Sequence, residues 1–249
     1  MIILAHFSDT HFDGGDHAAP RAERVVGYLR GLARPVDAAV LTGDVVDNGL
    51  RVEYEEAARV LGGLEQPLLA LPGNHDSRSP FREVLLGEGP GDGPVNRVAR
   101  VGEVVLALVD STVPGQDGGA LADETLEWLD AVLAEAAGAP ALVCLHHPPA
   151  PVRHPVLDPI GLDAPERLAR VVRGRKGLLA LLCGHSHSPM VGSLAGVPVL
   201  SAPGVVSTLV PPWEGERPND EGAPPALAFH VIADGQLTTH YRLVPQPWA

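Results

Sequence analysis

The sequence predicts an α/β fold built on parallel strands. Its first third alternates continuous apolar runs with stretches of helical spacing, in the order strand, helix, strand, helix, strand. Apolar runs without alternation are typical of strands that are buried on both faces and joined by helical crossovers. Hydrophobic residues make up 45% of the 249 residues, which suits a packed core rather than a disordered chain. We therefore expect a single domain that spans residues 1–249.

Five elements carry this pattern in the first third of the chain. The runs Ile2–Phe7, Ala38–Thr42 and Leu68–Leu71 are short and apolar almost throughout, as buried strands are. Arg21–Leu32 and Val52–Leu61 instead repeat apolar side chains at three- and four-residue spacing, which predicts helices.

The middle of the chain is less regular. Ser77–Leu86 is expected to form a short helix before a glycine-rich loop. Val95–Val101 and Glu103–Asp110 predict two adjacent strands, because both are rich in valine and a single glycine separates them. Asp123 is expected to cap a helix over Glu124–Ala137, whose apolar residues form one stripe.

The C-terminal part begins with further buried strands. Apolar runs at Ala141–Leu145 and Gly177–Cys183 predict strands, and Pro165–Val172 predicts a short helix. Ala150–Pro165 contains four prolines and is expected to form a loop over the strand ends. Beyond it we expect strands at Gly196–Leu200, Ala226–Ala233 and Leu237–Val244, a hairpin turn at Asp234-Gly235, and a mobile, proline-rich insertion at Pro211–Pro225.

The composition excludes several classes of function. The net charge of −13 and the pI near 5.2 argue against binding to a nucleic-acid polymer, which needs clustered cations. The N-terminal residues lack the features of a signal peptide, and no apolar run approaches the ~20 residues of a membrane-spanning helix. We therefore expect a cytoplasmic protein with no membrane partner, in which Cys144 and Cys183 are reduced core residues.

Five of the expected strands end just before side chains that bind metal ions. The carboxyl ends of strands are where open α/β sheets keep their chemistry. The members of the pairs Asp9/His11 and His185/His187 are one residue apart, so in an extended chain each pair points to one side. The candidate ligands are Asp9, His11, Asp44, Asn74, either His146 or His147, His185 and His187.

Seven donors exceed the needs of one transition metal and fit two metals that share a ligand. Asp44 is the natural bridge, because a carboxylate has two oxygens. Nitrogen and oxygen donors without thiolate suit Mn, Fe, Zn or Co better than Ca or Mg. His75 and Asp76 remain without metal roles. We expect His75 to stabilise developing charge or protonate the leaving oxygen, and Asp76 to hold the imidazole of His75 in one tautomer.

The polar blocks, taken together, resemble a known family. Asp9-x-His11, Gly43-Asp44-x-x-Asp47, Gly73-Asn74-His75-Asp76, His146-His147 and Gly184-His185-x-His187 resemble, in order, the five blocks of the calcineurin-like metallophosphoesterase superfamily. The resemblance implies a four-layer α/β/β/α sandwich with a two-metal site at the strand ends. Ser8-Asp9-Thr10-His11 and His146-His147-Pro148-Pro149 further resemble the class III cyclic-nucleotide phosphodiesterases, a branch whose members also act on glycerophosphodiesters.

The resemblance also implies individual roles. Asp9, His11 and His187 would hold one metal, Asn74, His146 and His185 the other, and Asp44 would bridge them. The family pattern favours His146 over His147, which would then support the ligands or contact the substrate. Arg78 is compatible with a phosphate contact or with a solvated helix end, and His17 with a solvated loop.

We therefore expect a binuclear metal-dependent phosphodiesterase, in which hydroxide generated at the metals attacks a small-molecule phosphodiester. Cyclic nucleotides, either 3′,5′ or 2′,3′, are the leading substrates. The first alternative is a broad-specificity phosphodiesterase that acts on glycerophosphodiesters or other small phosphodiesters. The second is a non-catalytic, metal-stabilised binding protein. The sequence is compatible with a homodimer.

Overall fold

The computed structural model describes residues 1–245 and contains two large β-sheets. The strands are β1 (Ile2–Phe7), β2 (Ala38–Thr42), β3 (Leu68–Leu71), β4 (Arg97–Val101), β5 (Val104–Leu108), β6 (Ala141–Cys144), β7 (Leu178–Cys183), β8 (Met190–Leu194), β9 (Val197–Ser201), β10 (Thr208–Leu209), β11 (Asn219–Asp220), β12 (Ala226–Ala233) and β13 (Gln236–Leu243). The helices are α1 (Ala18–Arg30), α2 (Arg51–Leu61), α3 (Arg78–Pro80), α4 (Asp123–Glu135) and α5 (Pro165–Val172). The strand orders are β13-β12-β1-β2-β3 and β4-β5-β6-β7-β9-β8.

The sheets and helices form four layers. The inner faces of the two sheets bury one core, in which Leu4 and Val40 of the first sheet meet Leu106 and Leu142 of the second. Helices α1 and α2 pack on the outer face of the first sheet, and α4 and α5 on that of the second. The predicted four-layer α/β/β/α sandwich in one domain is therefore confirmed, and the last residues of the predicted range, 246–249, lie outside the described part.

Several predicted boundaries are confirmed, and the differences have local causes. Strands β1, β2 and β3 and helix α5 begin and end where the sequence predicts. Asp123 is the first residue of α4 rather than its cap, because its carboxylate pairs with Arg167 and Ala122 takes the cap position. The predicted helix over Ser77–Leu86 divides into α3 and one π-helical segment. Edge strand β8 is not predicted, because glycine and serine weaken its pattern.

The proline-rich segment Pro211–Pro225 is tied to helix α1. Part of it forms β11, which pairs with β10. Arg21 of α1 is buried, and its guanidinium donates hydrogen bonds to the carbonyls of Val205, Glu221 and Ala223. The Arg21 guanidinium therefore links helix α1 both to Val205, before the proline-rich segment, and to residues near the end of that segment.

The two cysteines, Cys144 and Cys183, are buried free thiols, as the sequence predicts. Within residues 1–245, no helix is both long enough and apolar enough to cross a membrane.

A chain of four polar side chains crosses the first sheet. His6 on β1 and His230 on β12 lie side by side, with Nδ1 of His6 3.0 Å from Nε2 of His230. Their remaining nitrogens contact the hydroxyls of Thr42, at 2.9 Å, and Thr239, at 2.8 Å. Burial lowers the pKa of His230 to about 3, and burial together with His230 lowers the pKa of His6. Both histidines are therefore neutral structural groups.

The neutral histidine pair predicts that folding stability falls in acid. In the unfolded chain a histidine gains its proton near pH 6.5, whereas in the folded protein His230 stays neutral to about pH 3. The stability that the neutral ring of His230 contributes is therefore fully present above its pKa in the unfolded chain. Below that pKa, the free energy of unfolding falls by about 1.4 kcal/mol per pH unit for one proton.

We expect His230→Asn to flatten this loss by about 1.4 kcal/mol per pH unit between roughly pH 6 and pH 4.5. The measurement is the free energy of unfolding in urea, with a chelator present so that metal binding does not contribute. His240→Asn is the matched control, because His240 is exposed on β13. Parallel profiles for wild type and His230→Asn would contradict the prediction.

Candidate metal centre

The predicted polar strand ends meet at one edge of the sandwich. Strands β1, β2 and β3 run parallel in the first sheet, and β6 and β7 run parallel in the second. Within each sheet the loops are joined by backbone bonds, from the N–H of Asp9 to the carbonyl of Gly43 and from Gly184 to His146. Between the sheets, the N–H of His185 donates to Asp9 Oδ1 at 3.1 Å. Residues from both sheets therefore form one site.

Most candidate ligands have a left-handed backbone conformation. The pairs Asp9/His11 and His185/His187 are therefore not extended, so the same-side geometry of an extended chain does not apply to them. Non-glycine residues adopt this conformation rarely, at a cost on the order of 1 kcal/mol each, and such residues cluster at functional sites. The φ angles are 56° at Asp9, 45° at His11, 48° at Asp44, 64° at His185 and 49° at His187.

Asp9, His11 and His187 form one half of the centre. A donor atom from each lies within 4.8 Å of the other two. Asp47 holds Nδ1 of His11 at 2.9 Å, and the hydroxyl of Ser207 holds Nδ1 of His187 at 2.8 Å. Within residues 1–245, the buried atoms Asp9 Oδ2 and His11 Nε2 have no hydrogen-bond partner. A metal ion would satisfy both atoms, which are otherwise costly to bury.

Asn74, His146 and His185 form the other half. Nε2 of His146 lies 3.1 Å from Asn74 Oδ1 and 3.2 Å from His185 Nδ1. Nδ1 of His146 contacts the carbonyl of Thr42 at 2.7 Å, which fixes the ring. Burial lowers the pKa of His185 to about 3, so this ring is neutral, as metal binding requires.

Asp44 lies between the two halves. Its Oδ2 is 3.3 Å from Nε2 of His146 and 3.5 Å from Nε2 of His11. Burial alone would raise the pKa of Asp44, but the two histidines hold it well below its usual range. Burial would likewise lower the pKa of His146, yet Asp44 raises it to about 9. The carboxylate of Asp44 therefore stabilises positive charge between the two halves of the centre.

His75 stands beside the centre, and Asp47 holds its ring. Nδ1 of His75 donates to the backbone carbonyl of Asp47 at 2.8 Å. The prediction that Asp76 orients this imidazole is therefore wrong. The carboxylate of Asp76 instead accepts hydrogen bonds from three backbone N–H groups, including that of Gly73, and from the hydroxyl of Tyr54. Asp76 thus holds the turn rather than the imidazole.

The structure also places two residues whose roles the sequence leaves open. Arg78 donates to the buried carboxylate of Asp110 at 2.8 Å and to two backbone carbonyls, so it links loops at the site. His17 is exposed and contacts the carbonyl of Val206 at 3.0 Å. No motif marks the contacts made by Ser207, Tyr54 and Asp110, because each partner lies at least 20 residues away.

Two clefts flank His75 at the mouth of the site. One, of about 440 Å³, is lined by His11, His187 and Glu221, among others. The other, of about 360 Å³, is lined by Asn74 and Arg78 among others. A small substrate can therefore extend to either side of this imidazole.

Comparison with known proteins identifies the family. Residues 2–189 match the family model of the calcineurin-like phosphoesterases. The chain belongs to the calcineurin-like phosphoesterase family. The resemblance carried by the five sequence blocks is thereby confirmed.

Relatives of this phosphoesterase include enzymes of two kinds. A glycerophosphodiester phosphodiesterase from Enterobacter lignolyticus is 35% identical, over 99% of this chain and 94% of its own. A cAMP/cGMP dual specificity phosphodiesterase from Mycobacterium tuberculosis is also 35% identical, over 93% of this chain and 76% of its own. A dimetal phosphatase from Danio rerio shares the fold, with a TM-score of 0.74 and 16% identity over 98% and 97% of the two chains.

In this phosphoesterase, the turn before Asn74 passes directly over Asp44. A β-carbon on Gly73 would lie 2.2 Å from Asp44 Oδ1 and 2.4 Å from the Asp44 backbone nitrogen. The carboxylate cannot move aside freely, because its Oδ1 accepts the N–H of His75 at 3.0 Å. Glycine is needed here for space.

Gly73→Ala should displace Asp44, lower the free energy of unfolding by about 1–3 kcal/mol and reduce the bound Mn²⁺. Urea unfolding and metal analysis after dialysis measure both effects. Gly27→Ala is the control, because a β-carbon there meets open space within helix α1, where alanine is favoured. Wild-type stability and metal content in Gly73→Ala would show that the turn has room.

Proposed function

We propose that the protein is a binuclear metal-dependent phosphodiesterase that hydrolyses cyclic nucleotides. The main support is the arrangement of nitrogen and oxygen donors in two groups that share Asp44. His75 lies at the cleft beside them, with its side chain 40% exposed. The relatives are phosphodiesterases, so the predicted enzyme class, a phosphoric diester hydrolase, is confirmed.

The proposed ligand sets follow the two halves of the centre. Asp9, His11 and His187 would hold one ion, Asn74, His146 and His185 the other, and Asp44 both. The donors fit such ions, because imidazole, carboxylate and amide without thiolate suit Mn, Fe, Zn or Co. When bound, the ions would neutralise a phosphate group and activate water for attack.

Acidic side chains at the rim of the cleft favour a diester over a monoester. Only Asp9 and Asp44 among the proposed ligands are negative, so two divalent ions would leave the centre positive. A phosphodiester carries one negative charge, whereas a phosphate monoester carries nearly two at neutral pH. The second charge would face Asp13, Asp47 and Glu221 at the rim of the cleft, where like charges repel.

His75 would act on the leaving oxygen. The carbonyl of Asp47 can only accept, so Nδ1 of His75 carries a proton and Nε2 is the nitrogen available to a substrate. With Nε2 also protonated, the ring would donate that proton to the departing alkoxide, as a general acid. The backbone contact holds the ring in place during the transfer.

Relatives support cyclic nucleotides and glycerophosphodiesters as alternative substrates. Enzymes from Mycobacterium tuberculosis and Pseudomonas aeruginosa are named for cyclic nucleotides. The Enterobacter lignolyticus relative, which matches almost end to end, is named for glycerophosphodiesters. The homodimer, the cytoplasmic location and the exclusion of nucleic-acid polymers and membranes stay predictions.

The proposed function is tested by stripping the protein with a chelator and reloading it with Mn²⁺. The assay compares bis(p-nitrophenyl) phosphate, 3′,5′- and 2′,3′-cyclic AMP, glycerophosphoethanolamine and p-nitrophenyl phosphate. We expect turnover of bis(p-nitrophenyl) phosphate and a cyclic nucleotide, with slower turnover of the monoester and none without metal. Faster glycerophosphodiester hydrolysis would favour the alternative substrate. No hydrolysis of any diester would leave a non-catalytic binding protein.

His75→Gln should retain the wild-type metal content and lower kcat by roughly 10²–10⁴-fold on a cyclic nucleotide, whose alkoxide needs a proton to depart. The loss on bis(p-nitrophenyl) phosphate should be much smaller, because p-nitrophenolate leaves without protonation. His240→Gln, an exposed substitution on β13, is the matched control. Equal losses on both substrates would argue against proton donation by His75.

A further inference from the structure

His147 is buried against both histidines of the second half of the centre. Its ring centroid lies 4.9 Å from that of His146, with the planes nearly perpendicular, and 4.8 Å from that of His185. All three residues offer a nitrogen within 4.8 Å of the others, so distance alone would allow His147 to be a ligand.

The hydrogen bonds of His147 exclude that role. Its Nε2 lies 3.1 Å from the carbonyl of Asp117, which can only accept, so Nε2 carries the proton. The lone pair of Nδ1 then accepts the hydroxyl hydrogen of Ser111 at 2.8 Å. Ser111 Oγ in return accepts the backbone N–H of His147 at 3.3 Å. Both ring nitrogens are used, and neither offers a lone pair to a metal.

The loop that makes these bonds is itself held in place. The N–H of Ala120 donates to the carbonyl of Ser111, and Gly119 exchanges backbone bonds with Gly161 and Asp163 of the next loop. Gly119 lies so close that a β-carbon there would come within 2.3 Å of His147 Nδ1. The ring therefore has no space to turn on the side away from the metal ligands.

We propose that His147 is a positioning residue that fixes the rings of His146 and His185, and thereby sets the affinity for the metal ion they hold. This inference rests on the proposed two-metal function and adds a residue that touches neither metal nor substrate. The packed ring limits the rotation of both ligands before the ion arrives, so less conformational freedom is lost on binding. Groups that orient metal ligands typically change affinity by about 10–100-fold.

The test compares His147→Ala, which removes the ring, with His147→Phe, which keeps a ring but removes both nitrogens. Equilibrium dialysis against graded Mn²⁺ gives the number of ions bound. Anomalous diffraction from Mn²⁺-soaked crystals gives the occupancy at each half of the centre. We expect His147→Ala to weaken the ion at Asn74, His146 and His185 by about 10–100-fold. The ion at Asp9, His11 and His187 should bind as in wild type.

The phenylalanine variant separates positioning from ligation. His147→Phe should bind the second ion within a few-fold of wild type, although it unfolds at a lower temperature because the Ser111 and Asp117 groups lose their partner. A second-ion affinity as low in His147→Phe as in His147→Ala would overturn the proposal, because a nitrogen would then be required. Wild-type affinity in His147→Ala would overturn it as well. His240→Ala is the matched control.

These outcomes differ from a failure of the proposed function. A wild-type protein that binds two ions but hydrolyses no diester would contradict the enzymatic proposal and leave the role of His147 to the occupancy measurements. A wild-type protein that binds no second ion would overturn both. Under saturating Mn²⁺, His147→Ala should recover kcat, which a residue acting on the substrate would not.

Discussion

The buried negative charge of Asp44 is the constraint on which the rest of the site depends. A buried carboxylate is unstable unless positive charge or hydrogen-bond donors surround it. Its Oδ1 accepts the N–H of His75, and its Oδ2 lies near His11 and His146. His75 and His11 follow strands β3 and β1 of the first sheet, and His146 follows strand β6 of the second. The two sheets must therefore pack against each other before the charge of Asp44 is compensated. The packing of both sheets therefore depends on this side chain, and under the proposed function so would the affinity for both ions.

Backbone carbonyls orient two of the imidazoles around that charge. The carbonyl of Thr42 contacts His146, and that of Asp47 contacts His75. A carbonyl can only accept, so each contact fixes a proton on one nitrogen and leaves the other for a metal or a substrate. It does so without adding charge, whereas another buried carboxylate would repel Asp44 and carry its own desolvation cost.

Sequence reasoning predicts the buried strands well and the contacts between distant segments poorly. The bounds of β1, β2 and β3 are predicted correctly because each apolar run stops at a polar residue or a turn. The candidate ligands converge because parallel strands bring their carboxyl ends together. Residue spacing cannot show that Asp9 and His185 lie in left-handed turns, since those conformations depend on hydrogen bonds across the two sheets. For the same reason, residue spacing does not predict the contact of Ser207 with His187, which is 20 residues away.

The turn Asn74-His75-Asp76 shows why adjacent residues need not act on one another. Three consecutive side chains in a tight turn face three directions. Asn74 faces His146, His75 faces the cleft and the carbonyl of Asp47, and Asp76 faces inward to the hydroxyl of Tyr54 on α2. Adjacency in the sequence favours a contact between Asp76 and His75, but a carboxylate that accepts three backbone N–H groups has little capacity left for an imidazole. Because Asp76 anchors the turn to a core helix, the exposed ring of His75 stands on a rigid support.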